Sequence, residues 1–251
     1  MKKIVNKEMV KYINEVNPSM LAASITFYLL FIIIPVISLL SNILNLLNLD
    51  IPILSEYQVT KQQNVASVII LAISIIWVAS RFINALTVTS DVIYQDVKKR
   101  SALSRRILSV LLMMGLVVLM IIQIIVVLFF LNFFKNILQI SQYYILFIIQ
   151  FVLQFLSITF ILSIVYKYVI PIKIKIRKTF YISLITTLIW YVLTFMFYFI
   201  NYTLKLNNYD TLYGSMASLM LFIFWLYLII LALVYVIALN YYITKKRQVI
   251  K

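Results

Sequence analysis

Long apolar segments alternate along the chain with short polar segments that carry most of its charge. A membrane-spanning helix needs about 20 mostly apolar residues, because a helix satisfies its own backbone hydrogen bonds in hydrocarbon. Six segments meet this requirement, at residues 20–47, 65–88, 107–134, 144–166, 180–202 and 212–243. The pattern predicts an all-α, polytopic membrane protein in which residues 1–251 form one domain, a single bundle of six transmembrane helices.

The composition supports this class and limits the chemistry. Hydrophobic residues make up 65% of the chain and charged residues only 12%, whereas soluble domains carry roughly a quarter charged residues. The mean hydropathy is +1.07. Cysteine and histidine are absent, which removes disulfides, thiolate nucleophiles and Ser-His pairs. We therefore expect no cofactor and no metal site.

Positive charge is concentrated in every second connection between the predicted helices. Eighteen of the 22 Lys and Arg residues lie before the first helix, after the second, after the fourth, or in the tail at residues 244–251. Only three lie in the other connections. Because short cytoplasmic loops accumulate Lys and Arg, both termini are predicted to lie in the cytoplasm.

The net charge of +15 is spread over four membrane-proximal segments, with no separate soluble domain to carry it. This distribution favours contact with anionic lipids of the cytoplasmic leaflet over nucleic-acid binding. A cleavable signal peptide is not expected, because the first apolar run follows a charged stretch at residues 1–19 and is too long for one.

Two segments are predicted to lie at the membrane surface. In residues 1–19 the apolar side chains recur at helical spacing, at Val5, Met9, Tyr12, Ile13 and Val16. This spacing predicts an amphipathic interfacial helix, ended at Asn17-Pro18-Ser19, with a frayed tail as the alternative. The segment Ile170 to Lys178 alternates isoleucine with basic residues. It fits either an extended strip at the headgroups or a simple basic loop.

Polar residues inside the predicted helices mark candidate functional positions, because such residues are costly in hydrocarbon. Ser80, Asn84, Thr87 and Asp91 form one stripe on the second helix, and Arg81 lies beside it. Arg81 could reach the inner phosphates as an anchor, form an ion pair with Asp91 or Asp96, or contact a lipid or substrate.

Gln150, Gln154 and Ser157 form a second stripe, on the fourth predicted helix. These side chains could face the first stripe across an internal polar seam. Hydrogen bonds between helices would explain them equally well without any transport role.

The ordered motifs of this chain resemble those of the YihY/BrkB family of bacterial inner-membrane proteins, which was formerly mislabelled ribonuclease BN. The stretch LAASITFYLLFIIIP, from Leu21 to Pro35, is similar to the first helix of that family. Three further stretches follow in the family's order, at DVIYQDVKKR from Asp91, at Tyr166 to Pro171, and at YGSMASLMLFIFWLY from Tyr213. The resemblance covers nearly the whole chain and implies six spans in the bacterial inner membrane.

Carried over position by position, the family pattern points to Pro35, Tyr94, Arg100, Pro171, Tyr213, Gly214 and Trp225. Pro35 is also predicted to kink the first helix. Two positions depart from the pattern. Asp91 stands where the family usually has Asn, and Ala238 stands where a Glu is common near the end of the last helix. If that Glu has a role in relatives, Ala238 cannot perform it in this chain.

The leading functional hypothesis is a passive or ion-coupled transporter that moves a lipid or another amphipathic substrate along the polar seam. The path would use Arg81, Asn84, Asp91, Gln150 and Gln154, and Arg100, Lys175 and Arg177 would contact cytoplasmic headgroups. The alternative is a noncatalytic membrane scaffold or envelope-integrity factor. An enzyme or nuclease is the least supported reading, because two-metal hydrolysis needs clustered carboxylates or histidines. The oligomeric state is not predicted.

Overall fold

The computed structural model describes residues 9, 11–46, 65–97, 100–116, 118–119, 143–172, 174–203 and 215–249, and within them it contains helices and no strand. The helices are α1 (11–16), α2 (Pro18–Leu46), α3 (Val65–Ile93), α4 (102–116), α5 (Tyr143–Val169), α6 (Ile176–Thr203) and α7 (Ser215–Val249). The predicted all-helical class is confirmed for this part of the chain.

Five stretches of helix are long and apolar enough to cross a membrane, at Lys11–Ile33, Ile73–Ile93, Ile148–Val169, Ile176–Tyr202 and Leu219–Lys245. They overlap five of the six predicted spans, and the first of them begins nine residues before the predicted start at residue 20. The predicted third span, 107–134, begins in α4, but most of it lies outside the described residues, as do Tyr213 and Gly214. The full six-helix bundle therefore stays a prediction.

Helices that are neighbours in space are not always neighbours along the chain. α2 lies against α3 and α7, α6 lies against α5 and α7, and α3 also touches α5 and α7. Buried Ile25, Leu86, Tyr166, Ile182 and Ile237, one from each of these helices, belong to the shared apolar core. Side chains pointing away from the core are mostly large and apolar, such as Phe195, which is 70% exposed. A soluble protein would expose mainly polar side chains, so this apolar surface fits a protein whose helices are surrounded by lipid.

Asn17 separates α1 from α2 by adopting a left-handed backbone conformation, with φ of 49°. Asparagine tolerates this conformation better than most residues. Its amide N donates to the carbonyl of Ile13 at 3.0 Å, which closes α1. Its Oδ1 accepts bonds from the Ser19 hydroxyl and the Met20 amide, so the same residue begins α2, with Pro18 in the first turn. The helix is broken at Asn17, whereas Pro18 and Ser19, predicted to belong to the same turn, already lie in α2.

The connection between α5 and α6 is shorter than the alternating pattern predicts. Ile170, Pro171 and Ile172 form a bend, and α6 begins at Ile176 rather than near residue 180. The extended strip from Ile170 to Lys178 is therefore wrong in its second half, where Arg177 and Lys178 are helical. The amide N atoms of Lys178 and Thr179 bond to the Lys175 carbonyl at 2.9 and 3.2 Å, so a helical turn forms there.

The ends of α3, α5 and α7 and the start of α6 meet at one end of the bundle, which we call the basic end. Three hydrogen bonds define it: the Tyr12 side chain donates to the Ile93 carbonyl, the Arg100 side chain donates to the Ile170 carbonyl, and the Lys178 ammonium donates to the Thr244 hydroxyl at 2.9 Å. The side chain of Pro35, in contrast, lies outside the described part of the chain. α2 continues through this residue to Leu46, and the predicted kink stays a prediction.

Candidate functional site

Tyr94 is the central buried polar residue of the basic end. It follows the last residue of α3 and is 1% exposed. The side chain of Asn240, on α7, donates a hydrogen bond from Nδ2 to the Tyr94 hydroxyl oxygen at 2.9 Å. Burial raises the pKa of the Tyr94 phenol, so the hydroxyl stays protonated. Ala238, where the family pattern led us to expect Glu, is fully buried two residues before Asn240.

Asp96, Tyr241 and Lys245 form a charged group beside Tyr94. The Lys245 ammonium lies 2.6 Å from Oδ2 of Asp96, and the Tyr241 hydroxyl donates to the same oxygen at 2.5 Å. The hydrogen bond from Lys245, followed by the one from Tyr241, lowers the pKa of the Asp96 carboxyl. The ring of Tyr241 packs edge-on against Tyr94, with 4.9 Å between centroids. The buried and exposed parts of the site are thus in direct contact.

α1 joins this group through Tyr12. Its hydroxyl donates to the carbonyl of Ile93 at 2.9 Å, which satisfies one of the carbonyls left open where α3 ends. The Tyr12 ring lies 5.4 Å from that of Tyr241, and Val16 is buried in the core. Part of the apolar face of α1 therefore packs on protein, and its predicted interfacial placement stays a prediction.

The ion pairs at the end of α3 differ from those considered in the sequence. Asp91 is buried and lies 3.7 Å from the Arg105 guanidinium of α4, while Asp96 pairs with Lys245. The interpretation of both aspartates as ion-pair partners at a helix end is confirmed. The suggested partner Arg81 is wrong, because ten residues separate it from Asp91, about 15 Å along one helix axis. Arg81 is exposed, and its guanidinium lies over the ring of Trp77.

Arg100 binds the end of α5. Its guanidinium donates to the carbonyls of Tyr168, Val169 and Ile170 at 3.0, 3.4 and 3.1 Å. A cation is favourable there because the carbonyls at a helix C-terminus lack partners and carry partial negative charge. The guanidinium therefore has protein partners, and the predicted contact of Arg100 with lipid headgroups stays a prediction. Arg100 thereby connects two stretches of the family pattern, the one that contains Tyr94 and the one that ends at Pro171.

A buried hydroxyl cluster between α5 and α6 escaped the sequence analysis. We define it by three pairs of hydroxyl oxygens: Thr159 and Thr187 at 3.1 Å, Ser163 and Thr179 at 3.2 Å, and Tyr166 and Thr186 at 2.8 Å. All six side chains are buried. The available signal was the spacing of Thr159, Ser163 and Tyr166 by four and three residues, which places them on one face of α5.

The remaining predicted site residues are dispersed. Asn84 is half-buried on α3, whereas Gln150 and Gln154 are exposed on α5, and Lys175 and Arg177 are exposed at the start of α6. The structure therefore does not bring the five predicted path residues into one internal seam. Trp225 is half-buried between Phe197 and Phe222, each with its centroid 5.7 Å away. Tyr213 and Gly214 lie outside the described residues.

Chemical groups suited to metal binding are not assembled in the described parts of the chain, where no three Asp, Glu, His or Cys side chains come together. What the basic end does provide is a connected set of aromatic hydroxyls, amides and ion pairs that ties α1, α3, α5 and α7 together through Tyr12, Tyr94 and Arg100.

Comparisons with known proteins identify the family of the chain. Neither the curated proteins nor the solved structures contain a match. The family model described as virulence factor BrkB matches residues 9–250, nearly the whole chain. This match agrees with the resemblance seen in the motifs of the sequence. The chain therefore belongs to the BrkB virulence factor family.

Proposed function

We propose that this multi-pass protein of the plasma membrane moves a lipid or another amphipathic substrate, passively or coupled to an ion, along a polar path on its lipid-facing surface. Family membership and five apolar helices support an integral membrane protein. The unequal distribution of Lys and Arg supports cytoplasmic termini, with the basic end on the cytoplasmic side. The chemistry in this proposal is binding and movement, without a catalytic step.

The position of two amides on α5 carries the proposal. Gln150 and Gln154 are exposed one helical turn apart, and neither has a hydrogen-bond partner among the described residues. Nine residues separate Gln150 from Thr159 and Gln154 from Ser163. Nine residues make about two and a half helical turns, so the two side chains of each pair point in opposite directions from the helix axis. The amides therefore lie on the side of α5 opposite the hydroxyl cluster.

This arrangement favours an outer path over the internal seam predicted from the sequence. The buried hydroxyls of α5 and α6 already bond to one another and to backbone carbonyls, as Thr159 does to Phe155 at 2.9 Å. A polar headgroup that enters hydrocarbon loses its hydrogen bonds to water, at a cost of several kcal/mol. Exposed amides such as Gln150 and Gln154 can replace part of these bonds while the acyl chains stay in the bilayer.

The start of α6 offers a place where headgroups could begin or end this movement. A surface groove of about 400 Å³ there is lined by Ile176, Arg177, Phe180 and Tyr181. It combines a cation with aromatic side chains, which suits the boundary between headgroups and acyl chains. Lys175 is exposed next to it.

The proposal can be tested by lipid scrambling in vesicles that contain the purified full chain. A fluorescent phospholipid is placed in both leaflets, and dithionite, which does not cross the bilayer, is added outside. We expect bleaching to proceed beyond the outer half with wild-type protein and to slow severalfold with the double variant Gln150→Leu, Gln154→Leu. Bleaching that stops at half with folded wild-type protein would contradict phospholipid translocation.

A matched control removes an amide that has a protein partner. Asn201 on α6 donates from Nδ2 to the Phe197 carbonyl at 2.8 Å, so it is engaged with its own helix. Asn201→Leu should leave the scrambling rate within about twofold of wild type. An equal decrease in this variant and in the double variant would mean that the amides matter only for folding.

The second candidate function is a noncatalytic scaffold or envelope-integrity factor. The saturated hydrogen bonding of the hydroxyl cluster and of Tyr94 favours it, because such contacts stabilise helix packing without any substrate. Under this reading, Gln150→Leu and Gln154→Leu leave lipid movement unchanged. Loss of the hydroxyl pairs alters only the stability.

A further inference from the structure

Two arginines from different helices meet at one exposed tryptophan. Trp77 on α3 is 56% exposed. The Arg81 guanidinium carbon lies 5.5 Å from the centre of its ring, and the Arg106 guanidinium carbon, on α4, lies 4.5 Å from it. Both distances fall within the range of cation–π attraction. The two guanidinium carbons are therefore no more than about 10 Å apart, although like charges at that distance repel each other.

These two cations have no carboxylate partner in the described part of the chain. Its acidic residues are Glu15, Asp91 and Asp96. They form ion pairs with other cations, namely Lys11, Arg105 and Lys245. A ring face offsets only part of the cost of holding two positive charges close together beside lipid. The pair formed by Arg81 and Arg106 is thus suited to an anion from outside the protein.

The surroundings identify the anion as part of a lipid. Ile70, Ile73, Trp77 and Arg81 follow one another at spacings of three, four and four residues, so they form one stripe along α3. Ile70 and Ile73 are 66% and 62% exposed. The stripe is apolar on one side of Trp77 and cationic on the other. It matches an amphipathic ligand whose acyl chain and headgroup lie along the helix axis.

We propose that Trp77, Arg81 and Arg106 bind the phosphate of an anionic phospholipid, with an acyl chain of the same lipid along Ile70 and Ile73. A phosphodiester accepts bidentate hydrogen bonds from guanidinium groups, and one phosphate between two arginines removes their repulsion. A lipid that also carries an ammonium group fits less well, because that cation would lie near two others. This site is separate from Gln150 and Gln154 and does not depend on lipid movement.

The test measures binding of brominated phosphatidylglycerol, which quenches tryptophan fluorescence on contact. The full chain is placed in vesicles of phosphatidylcholine that contain a small fraction of this lipid, and brominated phosphatidylcholine serves as the zwitterionic comparison. We expect stronger quenching by phosphatidylglycerol. The double variant Arg81→Gln, Arg106→Gln should weaken its apparent affinity about tenfold or more. Trp77→Phe should remove most of the signal that distinguishes the two lipids.

Matched controls separate this site from general attraction to a basic protein. Lys11→Gln, Lys167→Gln removes the same charge from exposed positions on α1 and α5 and should change the affinity less than twofold. If the double arginine variant does not fold, Arg106→Lys keeps the charge and loses the bidentate geometry, and we expect an intermediate loss. Equal quenching by both lipids, or equal loss in the control variant, would overturn the proposal.

Inorganic phosphate distinguishes the lipid from a free ion. Because an acyl chain contributes to the proposed site, phosphate added at millimolar concentration should not displace brominated phosphatidylglycerol beyond the effect of sodium chloride at equal ionic strength. Displacement by phosphate alone would mean that the arginines bind the free anion, which would overturn the assignment to a lipid. A wild-type protein that shows selective quenching and no scrambling would support this site and contradict the proposed translocation.

Discussion

The side-chain amide of Asn240 donates a hydrogen bond of 2.9 Å to the hydroxyl oxygen of Tyr94, although 146 residues separate the two in sequence. Asn240 is 7% exposed and Tyr94 is 1% exposed, so water does not compete for this bond. The contact joins α7 to the residue that follows α3. Asp96, two residues after Tyr94, is held by Tyr241 and Lys245, so the last helix engages both sides of this turn.

Removal of the Tyr94 hydroxyl should destabilise the protein. In Tyr94→Phe the Asn240 amide stays buried without its partner, and we expect the free energy of unfolding to fall by about 1–3 kcal/mol. The measurement is unfolding in detergent, followed by circular dichroism. Asn240→Leu should make the subsequent Tyr94→Phe change nearly neutral, because nothing is then left unpaired. Tyr202→Phe, at a 75% exposed position, is the control and should have no effect.

The locations of the helices could be predicted from the sequence, because hydrocarbon requires long apolar segments whatever their neighbours are. The hydrogen-bond and ion-pair partners of the polar residues could not be predicted from the sequence. Arg81 and Asp91 look close in the sequence, yet ten helical residues place them at different depths. Little in the sequence indicated that the hydroxyl cluster joins two helices. Serine and threonine can also bond to a carbonyl of their own helix, as Thr186 does to Ile182 at 3.0 Å.

The family resemblance pointed to Tyr94 and Arg100, and the structure shows what each of them contacts. Sequence alone could not provide these contacts, because Arg100 and Ile170 are far apart in the chain and only the packing of α3 against α5 brings them together. Asn240 was missed for the same reason. Nothing in its own helix identifies it as the partner of a tyrosine on α3.

Replacement of Arg100 should loosen the end of α5. Arg100→Ala leaves the carbonyls of Tyr168 and Ile170 without their cationic donor, and hydrogen bonds of charged groups contribute about 1.5–3 kcal/mol. We expect faster hydrogen exchange at the Ile170 amide, which bonds to the Tyr166 carbonyl at 3.2 Å. Arg177→Ala, at an exposed position, should leave that exchange rate unchanged. Unaltered exchange in both variants would contradict the role assigned to Arg100.

The hydroxyl cluster should stabilise the pair α5 and α6 by a modest amount. Thr186→Val keeps the shape of the side chain but removes the 2.8 Å contact with the fully buried Tyr166 hydroxyl. We expect a loss of about 0.6–1.7 kcal/mol in the free energy of unfolding, the range for hydrogen bonds between membrane helices. Thr194→Val is the matched control, because Thr194 is exposed and bonds only to its own helix, at Trp190. Equal losses in the two variants would assign the effect to helix propensity.

The Asp96 group should give the stability a specific dependence on pH. The pKa of Asp96 is lowered in the folded protein, so its contribution is present above the pKa of the unfolded state and is lost as the pH falls through the folded value. We expect Asp96→Asn to lower Tm by at most a few degrees at pH 7, since the pair is exposed. The difference from wild type should begin to shrink only as the pH falls below about 4, the pKa of an unperturbed Asp, and should disappear below the lowered pKa of the folded protein. A difference that stays constant from neutral pH down to about pH 2 would exclude this ion pair as its cause.

The hydroxyl cluster also bears on how the chain enters the membrane during synthesis. α5 and α6 are joined by only a few residues, and their three hydroxyl pairs link positions 16 to 28 residues apart. This helical hairpin can therefore complete its polar contacts before α7 has been made. We expect α5 and α6 to insert together as one unit. The contacts of Tyr94 with Asn240 must form last, once the final helix has left the ribosome and reached the turn that follows α3.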